Sequence, residues 1–187
     1  MIIAFKQDGV VYVAFDMVAT SLVGISMNDL IRPDNLPLFK ITNSEAMMIA
    51  EDDIRPRDVL RYSLKMDLPI NYVNLQKDLV NQMRTVLKEY SLYSENAFGY
   101  AYLLFTKDQI FEIDRWGVVT EQEAFSSLGY YKHVMNESLS MFYEAKMSVK
   151  ERVIKVFDLY EKYINRSSRP IILIDTSNHH HIELIEK

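Results

Sequence analysis

Three consecutive histidines, His179-His180-His181, are the densest set of potential metal ligands in the 187-residue chain. A neutral imidazole nitrogen binds zinc or a related transition ion. On a strand, neighbouring side chains point to opposite faces, so only His179 and His181 would share one. Glu183 continues that face, but no carboxylate spacing completes a site. The competing reading is a hairpin turn with exposed polar histidines. Glu51-Asp52-Asp53, together with Asp58, offers oxygen ligands for a hard cation. The same acids also suit a solvated loop and the positive end of a helix. Arg166-Ser167-Ser168-Arg169 reads either as a phosphate grip or as a helix cap and turn. Tyr90, Tyr93, Tyr100, Tyr102, Tyr130 and Tyr131 form either a ligand-stacking surface or core and interface aromatics.

Other chemistries are excluded outright. The chain has no cysteine, which removes disulfides, thiolate-ligated zinc, iron–sulfur clusters and a cysteine nucleophile. A net charge of −5 with no basic cluster argues against nucleic acid as a partner. No cofactor-binding motif is present, and no cofactor is expected. No run reaches the roughly 18 apolar residues of a membrane span. Met-Ile-Ile-Ala-Phe-Lys at the start lacks the pattern of a secretory signal. No membrane association is therefore expected, and the cytoplasm is the expected compartment.

The elements that must position any site follow from periodicity. Apolar residues make up 49% of the chain, charged residues 25%, and glycine and proline only 5 residues each. That composition predicts a folded globular domain, rich in regular structure and spanning residues 1–187. Ile2 to Phe5 and Val10 to Phe15 predict a hairpin around Asp8-Gly9, with Asp16 at its end. A polar, Pro-containing stretch runs from Ser21 to Pro37. Leu38 to Ile41 and Ala46 to Ala50 predict two further strands. Pro56 suits the first turn of a short helix. Apolar spacing from Asn71 to Tyr90 predicts an amphipathic helix of about five turns. Strands return at Phe98 to Phe105 and Gln109 to Ile113, with Arg115-Trp116-Gly117 as an edge segment.

Two helices come next. Leu128, Tyr131, Val134, Met135, Leu139, Phe142 and Tyr143 form the apolar stripe of one. Ser148 and Glu151 form a capping box for the other. Pro170 to Asp175 and His181 to Leu184 close the chain as two strands. The order is four strands, two helices, three or four strands, two helices and two strands. Helix pairs alternating with strand groups predict an α+β fold with two packed sheets under outer helices, a four-layer αββα sandwich. Strands apolar on both faces fit such a stack.

This order, with the residues that punctuate it, resembles the proteasome-type branch of the N-terminal-nucleophile hydrolases. It is most similar to the peptidase subunit of the bacterial two-component ATP-dependent protease. Ile2-Ile3-Ala4-Phe5, the Asp8-Gly9 turn and Val11 to Phe15 followed by Asp16 resemble that family's opening hairpin and its active-site aspartate. Ala19-Thr20 sits where the family often has Ala-Thr. Ser127-Leu128-Gly129-Tyr130-Tyr131 resembles the small-residue turn that opens its third helix. Ser148-Val149-Lys150-Glu151 resembles the start of its fourth. Ile172 to Glu183, with Thr176-Ser177-Asn178-His179-His180-His181-Ile182-Glu183 at its heart, resembles the family's last hairpin.

The resemblance implies a chemistry that this sequence lacks. In the family, a leading threonine attacks a carbonyl while its own α-amine acts as base. Met1 lies at or next to that position, and Met1, Ile2 and Ile3 carry no hydroxyl. Thr20 and Ser21 are the first hydroxyl residues, and cleavage there would remove two central strands. Asp16 matches the aspartate that holds the family's lysine. Lys40 and Arg32 are the cations in that region. Where the family has a glycine-rich turn supplying an oxyanion-hole N–H, Ala50 is followed by Glu51-Asp52-Asp53, whose charges would repel an oxyanion.

The family-equivalent catalytic candidates are thus Met1, Asp16 and Lys40. The expected function is a proteasome-subunit-like protein without threonine-peptidase activity, acting through self-assembly or partner binding. The family builds rings, which implies a homo-oligomer. The alternatives are a hydrolase of peptide or amide bonds using a non-standard site around Asp16, and a metal-binding module at His179 and His181.

Overall fold

The computed structural model describes residues 1–16, 38–50, 54–93, 97–165, 167–168, 170–177 and 181–186. Among these residues the chain is a mixed α and β protein built on two antiparallel five-stranded sheets. The polar stretch from Ser21 to Pro37, Thr20, Arg32, Glu51-Asp52-Asp53, Arg166, Arg169, His179 and His180 lie outside the described residues.

The first sheet has the order β10-β9-β2-β1-β8, from β1 (Ile2–Gln7), β2 (Val10–Asp16), β8 (Phe125–Leu128), β9 (Ile171–Asp175) and β10 (His181–Ile185). The opening hairpin turns at Asp8 and Gly9, both at positive φ. Its register sets Ile2 opposite Phe15 and Gln7 opposite Val10. The second sheet has the order β3-β4-β5-β6-β7, from β3 (Leu38–Lys40), β4 (Met47–Ala50), β5 (Tyr102–Phe105), β6 (Ile110–Ile113) and β7 (Val119–Gln122).

Helix α1 (Ile54–Ser63) follows β4. The predicted amphipathic helix is present, but it is not uniform. It starts as α2 (Tyr72–Asn74), passes through a π-helical turn at Leu75–Leu79, and continues as α3 (Val80–Glu89). Asn71 caps it, its side chain accepting from the Asn74 N–H at 3.0 Å. Helices α4 (Lys132–Tyr143) and α5 (Val149–Ile164) lie between β8 and β9. The capping box is formed: the Glu151 carboxylate accepts from the Ser148 N–H at 2.8 Å, and the Ser148 hydroxyl accepts from the Glu151 N–H at 3.3 Å. The Ser148 N–H and the Ser148 hydroxyl, which donates to the same carboxylate at 2.8 Å, hold the Glu151 carboxyl below its ordinary range, because they favour its charged form.

Three apolar clusters show why strand side chains alternate as they do. Ile2, Ala4, Val13 and Phe15 of the first sheet meet Ile49, Leu103 and Phe105 of the second. The opposite face, with Ile3, Phe5 and Leu173, packs on Met135, Leu139, Val153 and Phe157 of α4 and α5. Met48, Leu104 and Phe111 pack on Leu60, Leu75, Leu79 and Met83. Strands that bury both faces explain the continuous apolar runs in the sequence.

The strand expected from Phe98 starts only at Tyr102. Gly99 takes φ +79°, and the Phe98 N–H instead donates to the Arg115 carbonyl at 2.6 Å. Arg115-Trp116-Gly117 is a turn rather than an edge strand. The Asp114 carboxylate accepts from the N–H groups of Trp116 and Val118, each at 2.8 Å, and Gly117 has φ +81°. Leu128 belongs to strand β8 and not to the α4 stripe, because Phe125–Leu128 pairs with β1. Among the described residues, no helix is long and apolar enough to cross a membrane.

Candidate functional site

The start of β1, the end of β2 and the end of β8 converge. Ile2 lies opposite Phe15 on one side and Leu128 on the other, which brings Met1, Asp16 and Gly129 together at the sheet margin. The Met1 α-amine donates to Asp16 Oδ1 at 2.7 Å, and the Asp16 N–H donates back to the Met1 carbonyl at 3.1 Å. The Met1 side chain is 3% exposed and that of Asp16 5%. The amine end of the pair is only partly buried, and a pair partly removed from water still needs good geometry and further hydrogen bonds to offset its desolvation.

Met1 continues the alternation of β1 and packs with the cluster beneath α4 and α5. Gly129, at φ +117°, makes room for it: a Cβ there would lie 2.4 Å from the Met1 sulfur. The space beside the amine therefore holds a thioether. A hydroxyl or thiol next to this amine would form a nucleophile–base pair. A thioether has no proton to lose and cannot act as that nucleophile.

Among the described residues, the nearby hydroxyls of Ser126 and Ser127 are committed elsewhere. Ser127, buried on the α4 face, donates to Asn136 Oδ1 at 2.7 Å, with the Lys132 carbonyl 3.0 Å away. Ser126, on the other face, donates to Glu112 Oε2 at 2.9 Å, while the other carboxylate oxygen of Glu112 pairs with Lys132 Nζ. Glu112 comes from β6 of the second sheet, Ser126 from β8 of the first and Lys132 from the start of α4. The trio is a polar clasp joining the two sheets and a helix. The sequence reading missed Glu112, Ser126 and Lys132. The signal was a lone charge inside Ile110-Phe111-Glu112-Ile113.

The remaining candidates scatter. Lys40 stands at the turn end of β3, half exposed, 3.8 Å from Glu45. The described ion pair of Asp16 is with the α-amine. Asp58 pairs with Arg57 at 2.5 Å. His181 is exposed on β10 opposite Asp175, whose carboxylate accepts from Ser177. Among the described residues, no three His, Asp or Glu side chains are grouped to hold a metal ion. The tyrosines do not form one surface: Tyr102 is buried in the core beside α3, whereas Tyr130 is exposed next to α4. Asn165 ends α5 in the left-handed conformation, and Glu161 accepts from the Ser168 N–H at 2.8 Å, as a helix-end turn requires.

Comparison with known proteins adds the fold. No family model matches the chain, and no curated protein does. Among solved structures, the chain is similar to Thiobacillus denitrificans BPH in complex with epoxomicin, with a TM-score of 0.70 and 14% identity over 100% of this chain and 99% of that one. A structure of Thiobacillus denitrificans BPH matches with a TM-score of 0.69 and 13% identity over 99% and 98% of the two chains. At that identity the likeness is one of fold, and it extends from end to end of both chains.

Proposed function

We propose that the chain is a four-layer αββα protein of the proteasome-type N-terminal-nucleophile class that has no threonine-peptidase chemistry and works through self-assembly or partner binding. The observation that carries this reading is the thioether of Met1, seated on Gly129 beside an α-amine that is paired with Asp16. The amine and the carboxylate are in place, and the side chain on the amine's own residue is a thioether rather than the hydroxyl of an acyl-transfer device. Three apolar clusters in the order helices–sheet, sheet–sheet, sheet–helices support the four layers. The full-length likeness to a protein solved with epoxomicin supports the class.

The reading is tested on the purified full chain. We expect no hydrolysis of peptide or amide substrates above that of Asp16→Ala, no mass addition on incubation with epoxomicin, and an oligomer in native mass spectrometry. Turnover abolished by Asp16→Ala would instead establish the hydrolase reading around Asp16. An intact mass starting at a threonine or serine would overturn the proposal.

A further inference from the structure

Arg152 is a buried cation, 4% exposed, with no carboxylate partner among the described residues. An arginine removed from water usually has an anion beside it. Here the neighbours are neutral. The guanidinium donates to the carbonyls of Phe142, Tyr143 at 2.7 Å and Ala145 at 3.2 Å, at and just beyond the end of α4. It also donates to Gln7 Oε1 in β1 at 3.2 Å. A guanidinium has five N–H donors. Four are used, and the remaining N–H on Nη2 has no acceptor among the described residues.

The group lines a cleft of about 440 Å³ between the turn of the opening hairpin and the turn from α4 to α5. That volume suits a small metabolite. Lys6 and Lys146 line the same cleft, and neither ammonium is ion-paired with a described residue. Tyr143 forms part of the wall, its ring centroid 5.8 Å from the guanidinium carbon. Asp8 is the carboxylate of the lining, and Glu123 and Glu144 are exposed nearby in the chain. Glu151 accepts from Ser148, and Glu183 pairs with Lys150. The surface as a whole is therefore not positive, and no general field draws an anion here. Exposed carboxylates are hydrated and screened, whereas a buried guanidinium is neither. The attraction for an anion is local to Arg152.

We propose that this cleft binds a small phosphate monoester, its phosphate held by Arg152, Lys6 and Lys146 and its organic part lying against Tyr143. The free guanidinium N–H and the two ammonium groups are three separate donors. They match the three terminal oxygens of a monoester better than the two of a carboxylate. Arginine and lysine are also the side chains best suited to phosphate. Asp8 opposes the ligand. The cleft lies at the opposite end of β1 from Met1, and the proposal does not depend on assembly.

The test is calorimetric titration of the full chain with phenyl phosphate, with phenol as the uncharged comparison. We expect saturable binding of phenyl phosphate and none of phenol. Lys6→Gln with Lys146→Gln should weaken binding about tenfold. Asp8→Asn should tighten it about threefold by removing a like charge. Asparagine tolerates the positive φ of Asp8, so the turn is kept. Lys88→Gln, exposed on α3, should change nothing. Circular dichroism should match the wild type in every variant. The absence of saturable phenyl phosphate binding would overturn the site. So would equal binding of phenol, an affinity indifferent to loss of both lysines, or an equal weakening by Lys88→Gln.

Discussion

Gly129 and Met1 are matched surfaces: a single added carbon on the glycine would come 2.4 Å from the methionine sulfur. Gly129→Ala also forces a side chain into φ +117°. The substitution should cost about 1–3 kcal/mol through strain and overpacking. Urea unfolding at neutral pH reads it directly. An unchanged midpoint would mean that Met1 is not seated on Gly129.

Asp16→Asn removes the carboxylate from a part-buried pair with the Met1 α-amine. Losing that partner should cost about 1–3 kcal/mol. Asp16→Glu should restore little, because the longer side chain displaces the 2.7 Å contact. Denaturant midpoints of the two variants against the wild type check this. Equal stability would show that the pair contributes nothing.

Arg152 fixes the junction between α4 and α5. Its guanidinium donates to the carbonyls of Phe142, Tyr143 and Ala145 at the end of α4 and to the Gln7 side chain of the opening hairpin. Burial pushes its pKa below the ordinary arginine value, yet a guanidinium keeps its charge at neutral pH. Arg152→Lys cannot span this fork, so it should lose nearly as much as Arg152→Ala, about 2–4 kcal/mol. Thermal melting of the two variants would show whether lysine rescues.

The clasp of Glu112, Ser126 and Lys132 should behave as a coupled unit. Glu112→Gln and Lys132→Met, made singly and together, should show a coupling of about 1 kcal/mol, modest because Lys132 is partly solvated. A coupling near zero would mean that the ion pair contributes nothing measurable to joining the sheets.

The capping box gives a pH signature. The Glu151 carboxyl is lowered in the folded state by the Ser148 N–H and hydroxyl. Its contribution is therefore fully present above the ordinary carboxylate pKa of about 4.3 and declines as the pH falls through and below that value. Glu151→Gln, which removes the carboxyl that the Ser148 N–H and hydroxyl hold in its charged form, should flatten this acid dependence relative to the wild type. Melting curves from pH 7 down to pH 3 compare the two. A parallel fall in both would sink the assignment.

Much of the architecture was legible because strong periodicity records burial. Val10 to Phe15 reads as a strand buried on both faces, and it is one. Ser148 and Glu151 announce a helix start that the chain uses. The losses were local. Val119–Gln122 and Phe125–Leu128 are short, polar strands, Val-Thr-Glu-Gln and Phe-Ser-Ser-Leu, whose pairing comes from the sheets around them. The π turn at Leu75–Leu79 leaves no mark in apolar spacing. At the site, Asp16 was visible at the end of its strand. Gly129 appeared only as part of a turn motif, because its closeness to Met1 depends on β1 and β8 being neighbours. The Glu112 clasp joins groups from three elements, which spacing along the chain cannot report.

In the first sheet, the opening hairpin lies between the last strands to be made: Tyr12 of β2 faces Asp175, and Ile2 of β1 faces Leu128. During translation, Ile2 to Asp16 leaves the ribosome with both edges unpaired and waits for more than a hundred residues before its neighbours exist. At synthesis rates of about 5–20 residues per second, that wait lasts roughly 5–20 seconds. Over that interval the nascent hairpin is a sticky two-edged template. The newborn chain should therefore need shielding by a chaperone until β9 emerges.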